Sequence, residues 1–269
     1  MKVAISILTL QEVIRKTRCD TLVNSGILEF KNGMVQTKGN GIEYLPGQKA
    51  EKTEGKAPGK IDGSLSFQIQ YPTPVQEEGE VAIADLQNLL SKSEIFEKED
   101  QVQLSSVDNK FIIEREIPQR ILTYDIADKK FIETAYKEKQ DVIFSNPIKI
   151  ISPKGKEKDV TFTTEIILDA SQLKSFADAA KKIAPTKIPL QVKEGKFFSA
   201  IKGTGSDMMG EIKADKVEGE AISKYRIEIL EIFKAGFGLA TLRFSENAPI
   251  HIHYELNDQK ADYLLNQSK

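Results

Sequence analysis

Short runs in which apolar and polar residues alternate dominate this chain, and one ordered set of them occurs twice. Residues 80–117 and 218–256 each predict a short strand, a helix, a Glu-Ile-Phe tripeptide and two further strands. The helices of the two copies are predicted at Asp85–Lys92 and Lys224–Leu230. The tripeptides begin at Glu94 and Glu231, which lie 137 residues apart, about half the chain. The repeat indicates a duplicated domain whose function depends on assembly rather than on one catalytic pocket.

The segments before each repeat also match one another in kind. Each opens with a predicted strand and a longer helix, followed by several strands. In the first half these are Val3–Ile7, a helix over Leu8–Arg18 with Thr9 as its N-cap, Leu22–Phe30, an Asn32-Gly33 turn, and Leu65–Tyr71. In the second half they are Val160–Leu168, a helix to Ala184 capped by Asp169 or Ser171, Ile188–Lys193, Phe197–Lys202 and Gly210–Lys213.

These elements predict an α+β protein made of two duplicated domains, with helices on one face of antiparallel β-sheets. We assign 1–128 to the N-terminal domain, 129–159 to a connector and 160–269 to the C-terminal domain. The connector is too apolar for a free linker, so we expect it to lie on the protein surface. Residues 47–63 are polar and rich in glycine, which is typical of a mobile loop.

Composition narrows the class of protein. The chain has 269 residues, of which 40% are hydrophobic, so each half can bury a core. We find no run of about 18 apolar residues and no secretory signal, and Cys19 is the single cysteine. A disulfide within the chain is therefore impossible, which favours a cytoplasmic location in a prokaryotic or viral host, or a nuclear one in a eukaryote. We expect no membrane association and no cofactor.

Charge excludes a uniformly basic nucleic-acid-binding domain, because 38 basic residues are set against 40 acidic ones. Segregation of charge remains possible, since the predicted outer faces of the helices are mostly basic or neutral. Such faces could bind DNA phosphates without reading sequence, although a solvated helix face is the alternative for each helix alone. The candidate DNA-binding residues are Arg15, Lys16, Arg18, Lys92, Lys174, Lys181, Lys182, Lys224 and Lys234. Gln11, Glu12, Asn88, Ser91 and Asp178 share these faces.

Catalytic patterns are weak. His251, His253 and Glu255 alternate along one predicted strand and could bind a metal, but we favour the solvent face of an antiparallel strand and expect no metal. Gly203-Thr-Gly is too short for a phosphate-binding loop and indicates a turn. We find no credible Ser-His-Asp set and no paired carboxylates for acid–base catalysis, so we do not expect an enzyme.

The C-terminal quarter resembles a known family. Tyr225–Ala235, Leu239–Phe244, Ala248–Leu256 and Ala261–Leu265 are similar to the last helix and strands of the trimeric DNA sliding clamps, which include proliferating cell nuclear antigen (PCNA) and the T-even phage clamps. Thr164–Lys174 has the register that opens the second domain of that family. The Phe144–Ile150 segment of the connector looks more like the phage form.

The resemblance implies a homotrimeric ring that encircles duplex DNA and tethers DNA polymerase and other replication and repair proteins. A clamp loader ATPase would open it. It implies that Lys234 and Arg18 lie on the DNA-facing side, with Asn88 and Ser91 in place of family lysines. It also implies a groove for partner peptides beside the connector, formed by Phe144, Ile148, Pro249, Leu264, Leu265 and Asn266. Two alternatives stay open: a subunit of a heteromeric repair or checkpoint clamp, and a β-rich interaction module without a DNA role.

Overall fold

The computed structural model describes residues 1–19, 21–43, 61–130, 132–133, 141–203 and 205–267, without the side chains of 40, 43 and 61–64. The chain divides into two compact units: Met1–Gly63 with Gln68–Lys139, and Ser64–Phe67 with Gln140–Lys269. Most of the predicted loop at 47–63 lies outside the described residues, and its last three residues begin a strand instead.

Two antiparallel sheets and two complete helices lie in the described part of the first unit. Its strands are β1 (Lys2–Ser6), β2 (Gly26–Lys31), β3 (Met34–Glu43), β4 (Ile61–Pro72), β5 (Val75–Glu77), β6 (Gly79–Ile83), β7 (Gln101–Val107), β8 (Lys110–Arg115) and β9 (Arg120–Asp125). Its helices are α1 (Ile7–Arg18) and α2 (Leu86–Ser93). One sheet has the order β5-β1-β7-β8-β9, and the strands β4-β3-β2-β6 are neighbours in the other.

The second unit repeats this order. Its strands are β13 (Thr164–Asp169), β14 (Lys187–Lys193), β15 (Lys196–Lys202), β16 (Asp207–Glu211), β17 (Lys216–Glu218), β18 (Ala221–Arg226), β19 (Leu239–Phe244), β20 (Ile250–Leu256) and β21 (Gln259–Leu265). Its helices are α3 (Ala170–Ile183) and α4 (Ile229–Ala235). The neighbour orders are β17-β13-β19-β20-β21 and β16-β15-β14-β18. The predicted α+β fold with duplicated units is confirmed.

The connector segment forms a small sheet of its own. Strands β10 (Asp141–Ile143), β11 (Ile148–Ile151) and β12 (Glu157–Val160) pair in the order β10-β11-β12. The predicted single strand Val160–Leu168 is therefore wrong, because its residues divide between β12 and β13 with a break at Thr161–Thr163. A continuous apolar run does not reveal where a chain leaves one sheet and enters another.

Helix starts follow side-chain capping. Ser6 caps α1 by accepting a hydrogen bond from the backbone N–H of Thr9 at 3.0 Å, so the predicted Thr9 cap is wrong by three residues. Asp85 caps α2 through the N–H of Asn88 at 2.8 Å, and Asp169 caps α3 through the N–H of Ser171 at 2.8 Å. Each side chain satisfies an N–H that has no partner within its helix.

The last helix begins later than its pattern predicts. Lys224–Leu230 is not helical at its start, because residues up to Arg226 extend β18 and pair with β14. Ser223 and Tyr225 are buried while Ile222 and Lys224 are exposed, which is strand periodicity. Helix α4 starts at Ile229 and contains the tripeptide that begins at Glu231. Helix α2, in contrast, ends before the tripeptide that begins at Glu94, so the two helices do not lie at equivalent positions relative to the tripeptides. A run with apolar residues at both periods fits either element, and pairing with β14 decides between them.

Candidate nucleic-acid interface and connector cleft

Helix α3 presents a broad exposed face that is rich in lysine. Leu173, Ala177 and Ala180 are fully buried, and this leaves the opposite side of the helix free. Lys174, Asp178 and Lys182 are all exposed on that side, spaced four residues apart. The face is therefore one line of charge, with a carboxylate between two cations.

Helix α4 adds two more charged groups beside this line. Lys181 forms an ion pair with Glu231 of α4, and Lys234 Nζ lies 3.3 Å from Asp178 Oδ1. In the first pair the cation belongs to α3 and the anion to α4, and in the second pair the assignment is reversed. Among the residues that the structure describes, Lys174 and Lys182 form no ion pair, so their charges are the most available to a ligand.

The exposed face of the helices in the first unit is narrower. On α1, Glu12 forms ion pairs with two side chains, with Arg15 Nη1 at 3.0 Å from Oε1 and Lys16 Nζ at 3.5 Å from Oε2. On α2, Lys92 Nζ lies 5.2 Å from the centre of the Tyr124 ring, a cation–π contact. Arg15 and Lys92 are thus the predicted DNA-binding side chains of this unit that reach solvent.

Three of the predicted DNA-binding residues do not lie where the sequence placed them. Lys16 and Arg18 are each only 8% exposed, because α1 is enclosed on most sides. Lys224 is exposed but belongs to strand β18, opposite Pro189, and not to a helix. Gln11, expected on the outer face, is 3% exposed and donates a hydrogen bond to Ser93 Oγ at 3.2 Å.

The connector sheet covers part of the second unit. Val142, Ile148, Val160 and Leu264 form a buried apolar cluster. Phe144, Ile150 and Phe162 pack against it and are partly buried. The tail strand and the connector thus share one small core, which fixes the connector to this unit by apolar burial.

Three of the predicted peptide-groove residues lack the access that the prediction requires. Leu264 is 1% exposed and Leu265 is fully buried, so neither can contact a peptide directly. Ile148 is also buried at 4%. Phe144, Pro249 and Asn266 are half-buried. An alternating tail pattern predicts a strand, but it does not tell which of its faces another element covers.

A cleft of about 410 Å³ lies at the end of the connector sheet. Its walls come from the Ser145–Ile148 turn, from Val160–Glu165 and from the side chains of Glu218 and Arg243. Arg243 Nε donates to Glu165 Oε2 at 2.8 Å, and this bond, with that from Lys216, holds the pKa of Glu165 below its usual value. The cleft is lined by polar and charged side chains together with the apolar side chains of Pro147, Ile148 and Phe162.

His251 lies beneath the connector, while His253, next on the same face of β20, is half-buried. His251 is 4% exposed, and its ring centre lies 5.9 Å from Phe144 and 6.2 Å from Phe162. His251 Nε2 and His253 Nδ1 both lie 2.9 Å from Asp262 Oδ1. In the described part of the chain, no group of three or more His, Cys, Asp or Glu side chains is arranged to hold a metal.

Burial, hydrogen bonds and nearby charges shift the pKa values of Asp262, His251 and His253. Burial disfavours the charged form of Asp262, yet the hydrogen bonds and charges of the two imidazoles hold its pKa at about 2. Burial lowers the pKa of His251 in spite of the same bond. The hydrogen bond to Asp262 raises the pKa of His253, against the effect of burial. The two histidines therefore titrate on opposite sides of 6.5.

Two sheet edges carry exposed apolar side chains. β9 ends one sheet of the first unit and β16 ends one sheet of the second unit. Ile121 on β9 is 52% exposed and Met209 on β16 is 81% exposed. Unpaired edges of this kind readily pair with another strand. None of the helices in the described ranges has the length and apolar content needed to cross a lipid bilayer.

Comparison with solved structures identifies the fold. PCNA from A. fulgidus, in a structure with the C-terminal region of FEN-1, matches 100% of this chain and 98% of its own at 16% identity, with a TM-score of 0.67. A chain of the PCNA2–PCNA3 complex from Sulfolobus tokodaii matches 99% of this chain and 99% of its own at 14% identity, with a TM-score of 0.70. PCNA from Entamoeba histolytica matches 100% of this chain and 98% of its own at 8% identity and a TM-score of 0.72.

No family model matches the sequence, and no curated protein is similar to it. At these identities the likeness establishes the fold, which is that of the PCNA-type sliding clamps over the whole chain.

Proposed function

We propose that this protein is a DNA sliding clamp that closes into a ring around duplex DNA and acts as a processivity factor for DNA polymerase. The observation that carries the proposal is the whole-chain clamp fold with exposed lysines on its helix faces. Lysine and arginine bind the phosphate backbone without reading sequence, which is what sliding requires. The role is mechanical, so the protein needs no catalytic centre of its own.

Ring closure would use the two unpaired sheet edges. If β9 of one copy pairs with β16 of the next, each contact joins two different surfaces, and such contacts close a ring when the rotation per copy fits. Ile121 and Met209 would then become buried. A homotrimer is the simplest assembly. A heteromeric clamp is the alternative, and the Sulfolobus tokodaii structure is a complex of two different clamps.

Retention on circular DNA tests encirclement. The protein is closed on nicked circular duplex DNA by a clamp loader ATPase, and the DNA is then cut once. We expect stable retention before cutting and rapid loss through the free ends afterwards, because topology alone holds the ring. Equal loss from circular and linear DNA would contradict the proposal.

Edge variants test the assembly. Ile121→Asp and Met209→Asp should each reduce the trimer mass measured by light scattering to that of a monomer. Val107→Asp is the control, since Val107 is 54% exposed on β7, away from both edges. A trimer that survives both edge variants would exclude this interface.

We further propose that the connector cleft receives peptides of polymerase and other partners. Of the predicted groove residues, Ile148 lines the cleft, and Phe144 packs against the apolar cluster that Ile148 shares with Leu264. Thr163→Trp should fill the cleft and abolish polymerase stimulation while leaving retention on circular DNA unchanged. Thr186→Trp, at an exposed loop position, is the control. Unchanged stimulation by Thr163→Trp would move the peptide site elsewhere.

A further inference from the structure

A single carboxylate lies at the centre of the lysine-rich face of α3. Asp178 follows Lys174 by four residues and precedes Lys181 and Lys182 by three and four, the spacings at which helical side chains are neighbours. From α4, Lys234 Nζ approaches Asp178 Oδ1 to 3.3 Å. Asp178 thus lies among four lysines, one of which, Lys181, is paired with Glu231 of α4, and Asp178 is the more exposed of the two carboxylates.

The first unit contains the same arrangement. Glu12 precedes Arg15 and Lys16 by three and four residues, and it pairs with both, at 3.0 Å and 3.5 Å. Glu12 and Asp178 are not at matching positions of their helices, since Glu12 lies six residues after its cap and Asp178 nine. The duplicated fold therefore does not impose this placement, and it arises separately in each unit.

Folding stability does not account for Asp178, and it accounts for Glu12 only through the pair with the nearly buried Lys16. Asp178 is 64% exposed as a side chain and Glu12 is 33% exposed, and ion pairs near the surface contribute little to stability. Their effect on a ligand is larger, because a phosphate that approaches Lys234 or Arg15 must compete with a carboxylate already in contact. Each acid also lowers the positive potential that the remaining lysines present.

We propose that Asp178 and Glu12 limit the affinity of the helix faces for DNA, so that the ring is attracted to the phosphate backbone but not held at one place on it. This inference rests on the proposed clamp function and adds the residues that set the strength of the DNA contact. Both acids act on the cations beside them and are positioning residues, which need not touch DNA.

Removal of each charge at constant size tests the proposal. For Asp178→Asn and Glu12→Gln, equilibrium binding to short linear duplex DNA is measured as a function of salt, and diffusion along the DNA is measured after loading on nicked circular duplex DNA. We expect each variant to resist salt better, with a steeper salt dependence by up to about one phosphate contact, a slope change of roughly 0.9. We expect diffusion several-fold slower, and the double variant slower still.

Asp258→Asn is the matched control, because Asp258 is exposed in the turn between β20 and β21 and the substitution changes net charge equally. If Asp178→Asn and Glu12→Gln behave like Asp258→Asn, the inference is wrong while the clamp function stands. If the unaltered protein is not retained on circular DNA at any salt concentration, the clamp function itself is wrong and the inference fails with it.

Discussion

In the first unit a buried hydrogen bond from Gln11 to Ser93 joins the two helices, whereas in the second unit ion pairs near the surface join them. The difference follows from how deeply each longer helix is enclosed. α1 is exposed along one narrow line, so its cations Lys16 and Arg18 are nearly covered. α3 keeps a broad face in solvent, and its lysines reach outward.

The two units also differ in the charged groups that lie beside their sheets. Asp100 in the first unit lies against Arg115, with Nη1 2.6 Å from Oδ2, and both side chains are at most 13% exposed. Asp262 in the second unit lies against two histidines. An arginine stays charged at all ordinary pH values, but a histidine does not. One strand order therefore accommodates a permanent ion pair in one copy and a titratable cluster in the other.

The comparison shows that the strand and helix order depends on the apolar pattern, while charged groups can change between copies without changing that order. Function that depends on charge should therefore differ between the units even though their topology does not. Three predictions address this difference.

The largest expected effect is on DNA binding. The double variant Lys174→Glu/Lys182→Glu should reduce the slope of the log of the binding constant for short linear duplex DNA against log salt by about 2, since two phosphate contacts are lost. Arg15→Glu/Lys92→Glu in the first unit should reduce it less, because Arg15 is bound to Glu12 and Lys92 lies over Tyr124. Equal effects of the two double variants would show that the units contribute equally, against the comparison drawn here.

A smaller effect is expected on folding. Gln11→Ala should destabilise the first unit by about 1–3 kcal/mol, because it removes a buried hydrogen bond and leaves a void. Lys181→Ala in the second unit should cost less than about 1 kcal/mol, since its ion pair with Glu231 lies partly in solvent. Denaturant unfolding, monitored by hydrogen exchange in each unit, measures both. A larger loss for Lys181→Ala would reverse the assignment of buried and exposed helix contacts.

The smallest effect is a pH dependence confined to the second unit. The chain has two histidines, both in β20, so no histidine of the first unit titrates near neutrality. His251 has a lowered pKa, so its contribution to stability is lost as pH falls below 6.5. His253 has a raised pKa, so its contribution is present below 6.5 and is lost as pH rises through the raised value. Stability of this unit should therefore be greatest near pH 6.5.

Hydrogen exchange of the β20 amides, with the β8 amides of the first unit as internal reference, measures this dependence between pH 5 and 8. His251→Asn should remove the loss on the acid side and His253→Asn the loss on the alkaline side. A β20 profile that is flat over this range, or that follows β8, would show that the histidines do not control local stability.

Much of this architecture could be predicted from the sequence. Asp85 and Asp169 were identified as helix starts because capping is a local interaction between neighbouring residues. The Asn32-Gly33 turn was identified because both residues accept a left-handed backbone, and both adopt one, at φ 52° and 70°. The order of strands and the duplication followed from alternation, which depends on burial of one face of each strand.

The errors arose where a second element decides the outcome. The sequence predicts a helix at Lys224–Leu230, but its first residues form β18 and pair with β14. The sequence also predicts that Lys16, Arg18 and Gln11 are exposed, but surrounding elements bury them. His251 and His253 alternate like residues of a solvent-facing strand, and nothing local signals that the connector covers His251.

The sequence by itself determined the α+β class, the duplication, the turns and the starts of α2 and α3, because these depend on neighbouring residues and on the periodicity of burial. Only the tertiary structure decided which charged and polar side chains reach solvent, which carboxylates hold which lysines, and that Asp262 unites the two histidines. The physical reason is that burial and ion pairing depend on distances between residues far apart in the chain, which periodicity does not encode.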